Sequence, residues 1–100
     1  MYKVIYLYII ECADNSYYTG VSNNIEKRVN EHNLGINKQA YTYLRRPVKL
    51  VWYETFTDFN LAFEMETKIK KWSHSKKQAL IKGDFDLLKL LAKKKFKKQE

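Results

Sequence analysis

Residues Val4 to Ile10 form an apolar run that contains two tyrosines, and a second short run follows from Tyr17 to Val21. Period-two alternation along the first run places Tyr6, Tyr8 and Ile10 on one face and Ile5, Leu7 and Ile9 on the other, as a strand requires. Between the runs lies Ala13-Asp14-Asn15-Ser16, and Asp and Asn tolerate the left-handed backbone of tight turns. The two runs therefore read as an antiparallel hairpin. Ser16, Tyr18 and Gly20 share one face of its second strand. Gly20 offers no side chain to pack, which often marks a close approach by ligand or backbone.

The pattern then changes to a helical period. Ser22, Asn23 and Asn24 supply N-caps for a helix running to about Asn33, with Gly35 ending it. Ile25 and Val29 form its inward stripe, while Arg28 and His32 stand one turn apart. Residues 36–46 are polar and ambiguous, with a short helix expected around Gln39 to Leu44 and Pro47 closing the segment. Val48 to Phe56 reads as a third strand. Helices follow from Phe59 to Trp72 and from Ser75 to Ile81, and Asp84 caps a last one reaching about Phe96. The expected fold is α+β: a small three-stranded antiparallel sheet flanked by helices. Residues 1–82 form the domain, and 83–100 an added basic amphipathic helix and tail.

One hundred residues, 45% of them hydrophobic, are enough for a single domain with one modest core. No apolar run approaches the ~18 residues of a membrane span. The N-terminal run lacks a preceding basic cluster and a small-residue cleavage site, so it reads as a strand and not as a signal peptide. Cys12 stands alone, which excludes a disulfide framework within the chain and makes the cytoplasm the expected address. Charge adds more. The net value of +8 is uneven: residues 67–100 hold twelve lysines and three acids, and residues 1–66 seven basic and eight acidic side chains. Such a basic half suits an anionic partner, nucleic acid before membrane, the plainer alternative being a solvated lysine face.

The sharpest chemical clue is a carboxylate. Ala62, Met65, Ile69 and Trp72 form one helical stripe, and Glu66 falls inside it. A carboxylate on a buried face is costly unless paired, hydrogen-bonded or metal-bound. Two readings stay open: a pair with Lys70 one turn later, or a functional acid. Arg28 and His32 alone are commonplace on a surface helix, and most strand tyrosines simply bury their rings. As a set, two phenols, an Arg, a His and a semi-buried Glu suit phosphodiester hydrolysis. One carboxylate with waters and a substrate phosphate is enough to hold Mg²⁺, and Arg28 neutralises charge on the non-bridging oxygens. A tyrosine beside a metal, an arginine or a neutral histidine becomes an accessible base.

These residues, in this order, resemble the GIY-YIG nucleases, most closely the short single-domain bacterial members related to the excinuclease C nuclease domain. The resemblance covers about residues 4–82. Tyr6-Leu7-Tyr8 stands for the GIY element and Tyr18-Thr19-Gly20 for YIG, with nine residues between Tyr8 and Tyr18. VSNNIEKRVNEHN resembles the next motif and carries Arg28 and His32. EMETKIKKW resembles the motif of the metal-binding glutamate, Glu66, and Leu44-Arg45-Arg46-Pro47-Val48 also matches the short subfamily. The resemblance implies that these side chains meet on one face of the sheet. It gives Tyr8 as general base, Tyr18 supporting the phosphate or water, Arg28 on the phosphate, Glu66 on Mg²⁺ (or Mn²⁺), and His32 tuning a tyrosine or water. Gly20, Lys27, Arg45, Arg46, Lys70 and Lys71 are the expected DNA contacts. There are departures: Tyr6 replaces the GIY glycine and Thr19 the YIG isoleucine. Some members use an asparagine downstream of the glutamate, whereas Gln78 is the nearest such amide here.

The leading expectation is a Mg²⁺-dependent DNA endonuclease, selective for DNA structure, acting in repair or recombination as a monomer, with any targeting left to another protein. The lysines suit phosphate contacts, which carry no base information. The alternatives are a non-catalytic DNA- or RNA-binding module on the same fold, and a scaffold whose interface is the last helix with Leu87, Leu88, Leu90 and Leu91.

Overall fold

A computed structural model describes residues 3–86. Strands β1 (Ile5–Glu11), β2 (Tyr17–Ser22) and β3 (Lys49–Phe56) form one antiparallel sheet in the order β2-β1-β3. Helix α1 (Ile25–Leu34) lies between β2 and β3 in the chain, and α2 (Phe59–Lys70) and α3 (His74–Lys82) follow β3. The α+β architecture expected from the pattern is the one observed. Most of the expected last helix, with its four leucines, lies outside the described residues.

The hairpin turns where Asp and Asn demanded it. Asn15 takes the left-handed conformation (φ 69°), and the Asp14 carboxylate accepts from the Ser16 N–H at 3.0 Å. β1 is the central strand, which explains why both of its faces are apolar. On one face Tyr8 and Ile10 pack with Val48, Ile25 and Val29, so α1 covers that side. On the other, Leu7 and Ile9 pack with Ile69, Met65, Trp72 and Leu80, so α2 and α3 cover it. β3 takes a bulge opposite Ile9 and Ile10, which pair with Trp52 and Leu50 and leave Val51 as the extra residue.

Capping sets the helix limits. Asn24 accepts from the Lys27 N–H at the start of α1, and Gly35 closes it with φ 69°. The Asn33 side chain accepts from the Val48 N–H (2.7 Å) and donates to the Val48 carbonyl (3.0 Å), clamping the end of α1 to the start of β3. The second helix stops at Lys70, two residues before the expected Trp72, because Ser73 takes an extended conformation to cap α3. In the ambiguous segment the expected helix is only a single 3₁₀ turn, Tyr43–Arg45. Arg46 is extended, as the residue before a proline must usually be, so the helix cannot grow.

Candidate active site

The site is built around one phenol. The Tyr8 ring lies on the α1 face of the central strand and is 1% exposed. Burial pushes its pKa up to about 12, and the nearby charge of Glu66 pushes the same way, while the Arg28 guanidinium opposes both. The phenol in turn raises the pKa of Arg28. His32 approaches from the same helix, with Nε2 at 3.5 Å from the Tyr8 hydroxyl. Such long contacts are common in sites without substrate and shorten when it binds. Burial, and then the Arg28 charge, hold the His32 pKa below its usual value, so the imidazole is neutral at pH 7.

Beside this group opens a cleft of about 320 Å³, lined by Tyr18, Arg28, Glu31, His32 and Thr42 among others but not by Tyr8 itself. Tyr18 meets His32 edge-on, ring centroids 5.3 Å apart. Arg28 reaches Glu31 at 3.6 Å with half of its side chain open to solvent, leaving guanidinium N–H groups for an anion. Thr42 was not among the residues marked by the sequence. It is fully buried, and its hydroxyl lies 2.7 Å from Nδ1 of His32. Only its place in a polar segment beside two tyrosines was visible in the sequence, and that is too weak a signal to single it out.

Glu66 arrives from a different direction. Its helix packs on the Leu7 and Ile9 face, opposite α1, so the side chains do not all rise from one face of the sheet as the resemblance implied. Glu66 and Lys70 instead meet the site from over edge strand β2, with Lys70 Nζ 5.8 Å from the centre of the Tyr18 ring. The Glu66 side chain is 18% exposed and pairs with Lys70 at 3.4 Å. The ion-pair reading of Glu66 is the one observed, and the carboxylate also lies near enough to Tyr8 to push its pKa up. Among the described residues no group of three His, Cys, Asp or Glu side chains gathers to hold an ion. A lone carboxylate such as Glu66 would suit Mg²⁺, an ion that keeps most of its water and is often shared with substrate phosphate. Lys70 is half exposed, so it has room to swing away from Glu66.

The remaining candidates divide. Gly20 was expected to leave the strand bare for a phosphate; that space is filled by the Tyr8 phenol, whose hydroxyl lies 2.5 Å from where a Gly20 Cβ would stand. Arg45 and Arg46 are engaged within the fold. Arg45 bonds the Asp14 carboxylate (3.1 Å) and the Tyr41 carbonyl (2.7 Å), and Arg46 the Tyr43 carbonyl (2.8 Å), each stacked on a tyrosine ring. Tyr41 itself stacks toward Tyr18, so Arg45 borders the cleft through that ring. Lys27 and Lys71 are exposed, on α1 and at the end of α2. Gln78 is on α3, near Tyr17 on the opposite face of the sheet from Tyr8, so it does not stand in for the family's asparagine. Tyr17 also stacks on His74 (4.5 Å), and Tyr6 meets Tyr53 at 6.0 Å, so both pack as strand tyrosines do.

A buried phenol flanked by an arginine and a neutral histidine, with the Glu31 and Glu66 carboxylates near, suits phosphodiester hydrolysis. The sequence profile of the GIY-YIG catalytic domain matches residues 4–79, and the chain belongs to that family, which is one of nucleases. Similar proteins carry the name UPF0213. One from Syntrophus aciditrophicus is 48% identical over 77 residues, covering 77% of this chain and 88% of that protein. Another, from Haloquadratum walsbyi, is 43% identical over 82 residues, covering 82% and 91%. The solution NMR structure of a protein from E. faecalis superposes with a TM-score of 0.59 at 35% identity, covering 87% of this chain and 93% of its own. That of a UPF0213 protein from Bacillus halodurans gives 0.52 at 36%, covering 79% and 83%.

Proposed function

We propose that this protein is a Mg²⁺-dependent endonuclease that hydrolyses DNA phosphodiester bonds and selects its substrate by DNA structure. The observation that carries the reading is the convergence of Arg28, His32 and Glu66 on the buried Tyr8. Arg28 holds the non-bridging oxygens of the scissile phosphate and offsets the charge that builds there. Tyr8 takes a proton from the attacking water, helped by the Arg28 charge, which favours phenolate. Glu66 would hold the Mg²⁺ ion, which when bound would supply Lewis-acid stabilisation of the phosphate. Tyr18 borders the cleft that Arg28 and His32 line and orients phosphate or water. Lys27, Lys70 and Lys71 give sequence-independent attraction to the backbone. Contacts from lysines to phosphate carry no base information, which supports selection by DNA structure. A role in repair or recombination, in the cytoplasm, belongs to the same proposal.

Cleavage of a panel of branched, flapped and nicked DNAs with Mg²⁺ or Mn²⁺ tests it, with Glu66→Ala as the control. Turnover by the wild type, lost in the variant, is the expected result. Salt-sensitive binding without turnover, unchanged in Glu66→Gln, would instead identify a non-catalytic DNA- or RNA-binding module.

A further inference from the structure

The Tyr8 oxygen is approached by a guanidinium, a group that only donates. The phenol's own proton therefore needs an acceptor, and the contact the structure offers is Nε2 of His32 at 3.5 Å. A neutral imidazole presents one lone pair and one N–H, and its other nitrogen decides which faces the phenol. That other nitrogen, Nδ1, is 2.7 Å from the Thr42 hydroxyl oxygen. Thr42 stands at the N-cap position of the 3₁₀ turn but its side chain makes no capping bond, so this hydroxyl is left to the histidine.

We propose that Thr42 is a positioning residue: its hydroxyl oxygen accepts the Nδ1–H of His32 and so keeps the Nε2 lone pair aimed at the Tyr8 phenol. This rests on the nuclease reading for its purpose, though not for its geometry. In the reaction Nε2 takes the phenolic proton and His32 becomes imidazolium, with Tyr8 left as phenolate. The phenolate then takes a proton from water as that water's oxygen bonds to phosphorus and the ester P–O bond breaks. The departing alkoxide is protonated by solvent, and His32 returns its proton to solvent. The groups that face His32 are Arg28 and Glu31 from its own helix, Tyr8 from β1, Tyr18 from β2 and Thr42 from the loop. Of these only Thr42 meets Nδ1, and it is neutral at every pH of interest.

Nitrogen-15 NMR of the histidine side chains reads the tautomer directly, with exposed His74 as an internal reference. The expected wild-type spectrum shows His32 protonated at Nδ1 and bare at Nε2 near neutral pH. Thr42→Val, similar in shape but without the hydroxyl, should shift His32 toward the Nε2–H form, and Thr42→Ser should restore the wild-type pattern. In cleavage assays Thr42→Val should lower kcat by about 10-fold or more with KM little changed, and Thr42→Ser should recover most of it. A wild-type His32 protonated at Nε2 overturns the assignment, and so does a tautomer unchanged in Thr42→Val. The spectrum requires no turnover, so a protein inactive on every DNA with the expected tautomers would sink the nuclease reading and uphold this one.

Discussion

The hydroxyl of Tyr8 occupies the space that a side chain on Gly20 would fill. A Cβ there would stand 2.5 Å from the phenolic oxygen and 2.7 Å from the ring carbon that bears it. The third residue of the YIG element thus exists to admit the third residue of the GIY element, across the paired strands where Tyr8 and Gly20 are register partners. Gly20→Ala should displace the ring, destabilise the fold by about 1–3 kcal/mol through overpacking, and remove activity. Adding Tyr8→Val should recover much of the stability but none of the activity. Urea unfolding of the three variants checks this, and a Gly20→Ala protein as stable as wild type contradicts it.

Arg28 lies beside the Tyr8 phenol and Glu31, and on the proposed reading it also holds the substrate phosphate, which a planar fork can do where a single ammonium cannot. Arg28→Lys is therefore expected to lower kcat/KM by about 10²–10³-fold. Steady-state cleavage on one fixed DNA substrate measures it. A loss under tenfold would remove Arg28 from the proposed phosphate contact.

His32 links the site to pH. Its folded pKa is lowered by burial and by Arg28, so below the unfolded value of about 6.5 the unfolded chain binds more protons. The stabilisation is fully present above about 6.5 and is lost as pH falls through the folded pKa. Asp14, whose pKa is also lowered, titrates well below this window. Urea midpoints should therefore drop between about pH 7.5 and 5.5 in the wild type, and drop less in His32→Gln. Equal drops in both proteins would show that His32 carries no such linkage.

Ile69 is the buried centre of the α2 contact with Leu7 and Ile9, whereas Leu44 is 88% exposed at the 3₁₀ turn. Ile69→Ala should cost about 2–5 kcal/mol, and Leu44→Ala within about 0.5 kcal/mol of nothing. Thermal or urea unfolding of the pair tests where the core lies. Comparable losses would contradict the packing described here.

Much of this was legible in the residues because local rules carried it. Alternation in β1 separated Tyr8 from Leu7, turn chemistry placed the hairpin, and caps bounded α1. Glu66 stood out as a carboxylate inside an apolar stripe, and its ion pair and part burial match that oddity. What escaped was non-local. Strand order is set by which faces can be buried together, so nothing within β3 announced that it would pair with β1 and leave β2 at an edge. That order is what sends Glu66 to the site from the far side of the sheet. Thr42 and the tethering of Arg45 and Arg46 escaped for a related reason. Their segment has no period, and its contacts beyond the loop are to Asp14, His32 and Asn33, all at least ten residues away in the chain.

Tyr8→Phe is the most direct trial of the central claim, because it removes one oxygen from a packed ring and leaves the core intact. Single-turnover cleavage of a flapped DNA in Mg²⁺, run beside urea unfolding, separates chemistry from folding. The expected result is a folded Tyr8→Phe protein with cleavage abolished, as in Glu66→Ala. A folded Tyr8→Phe protein that cleaves at the wild-type rate would contradict it.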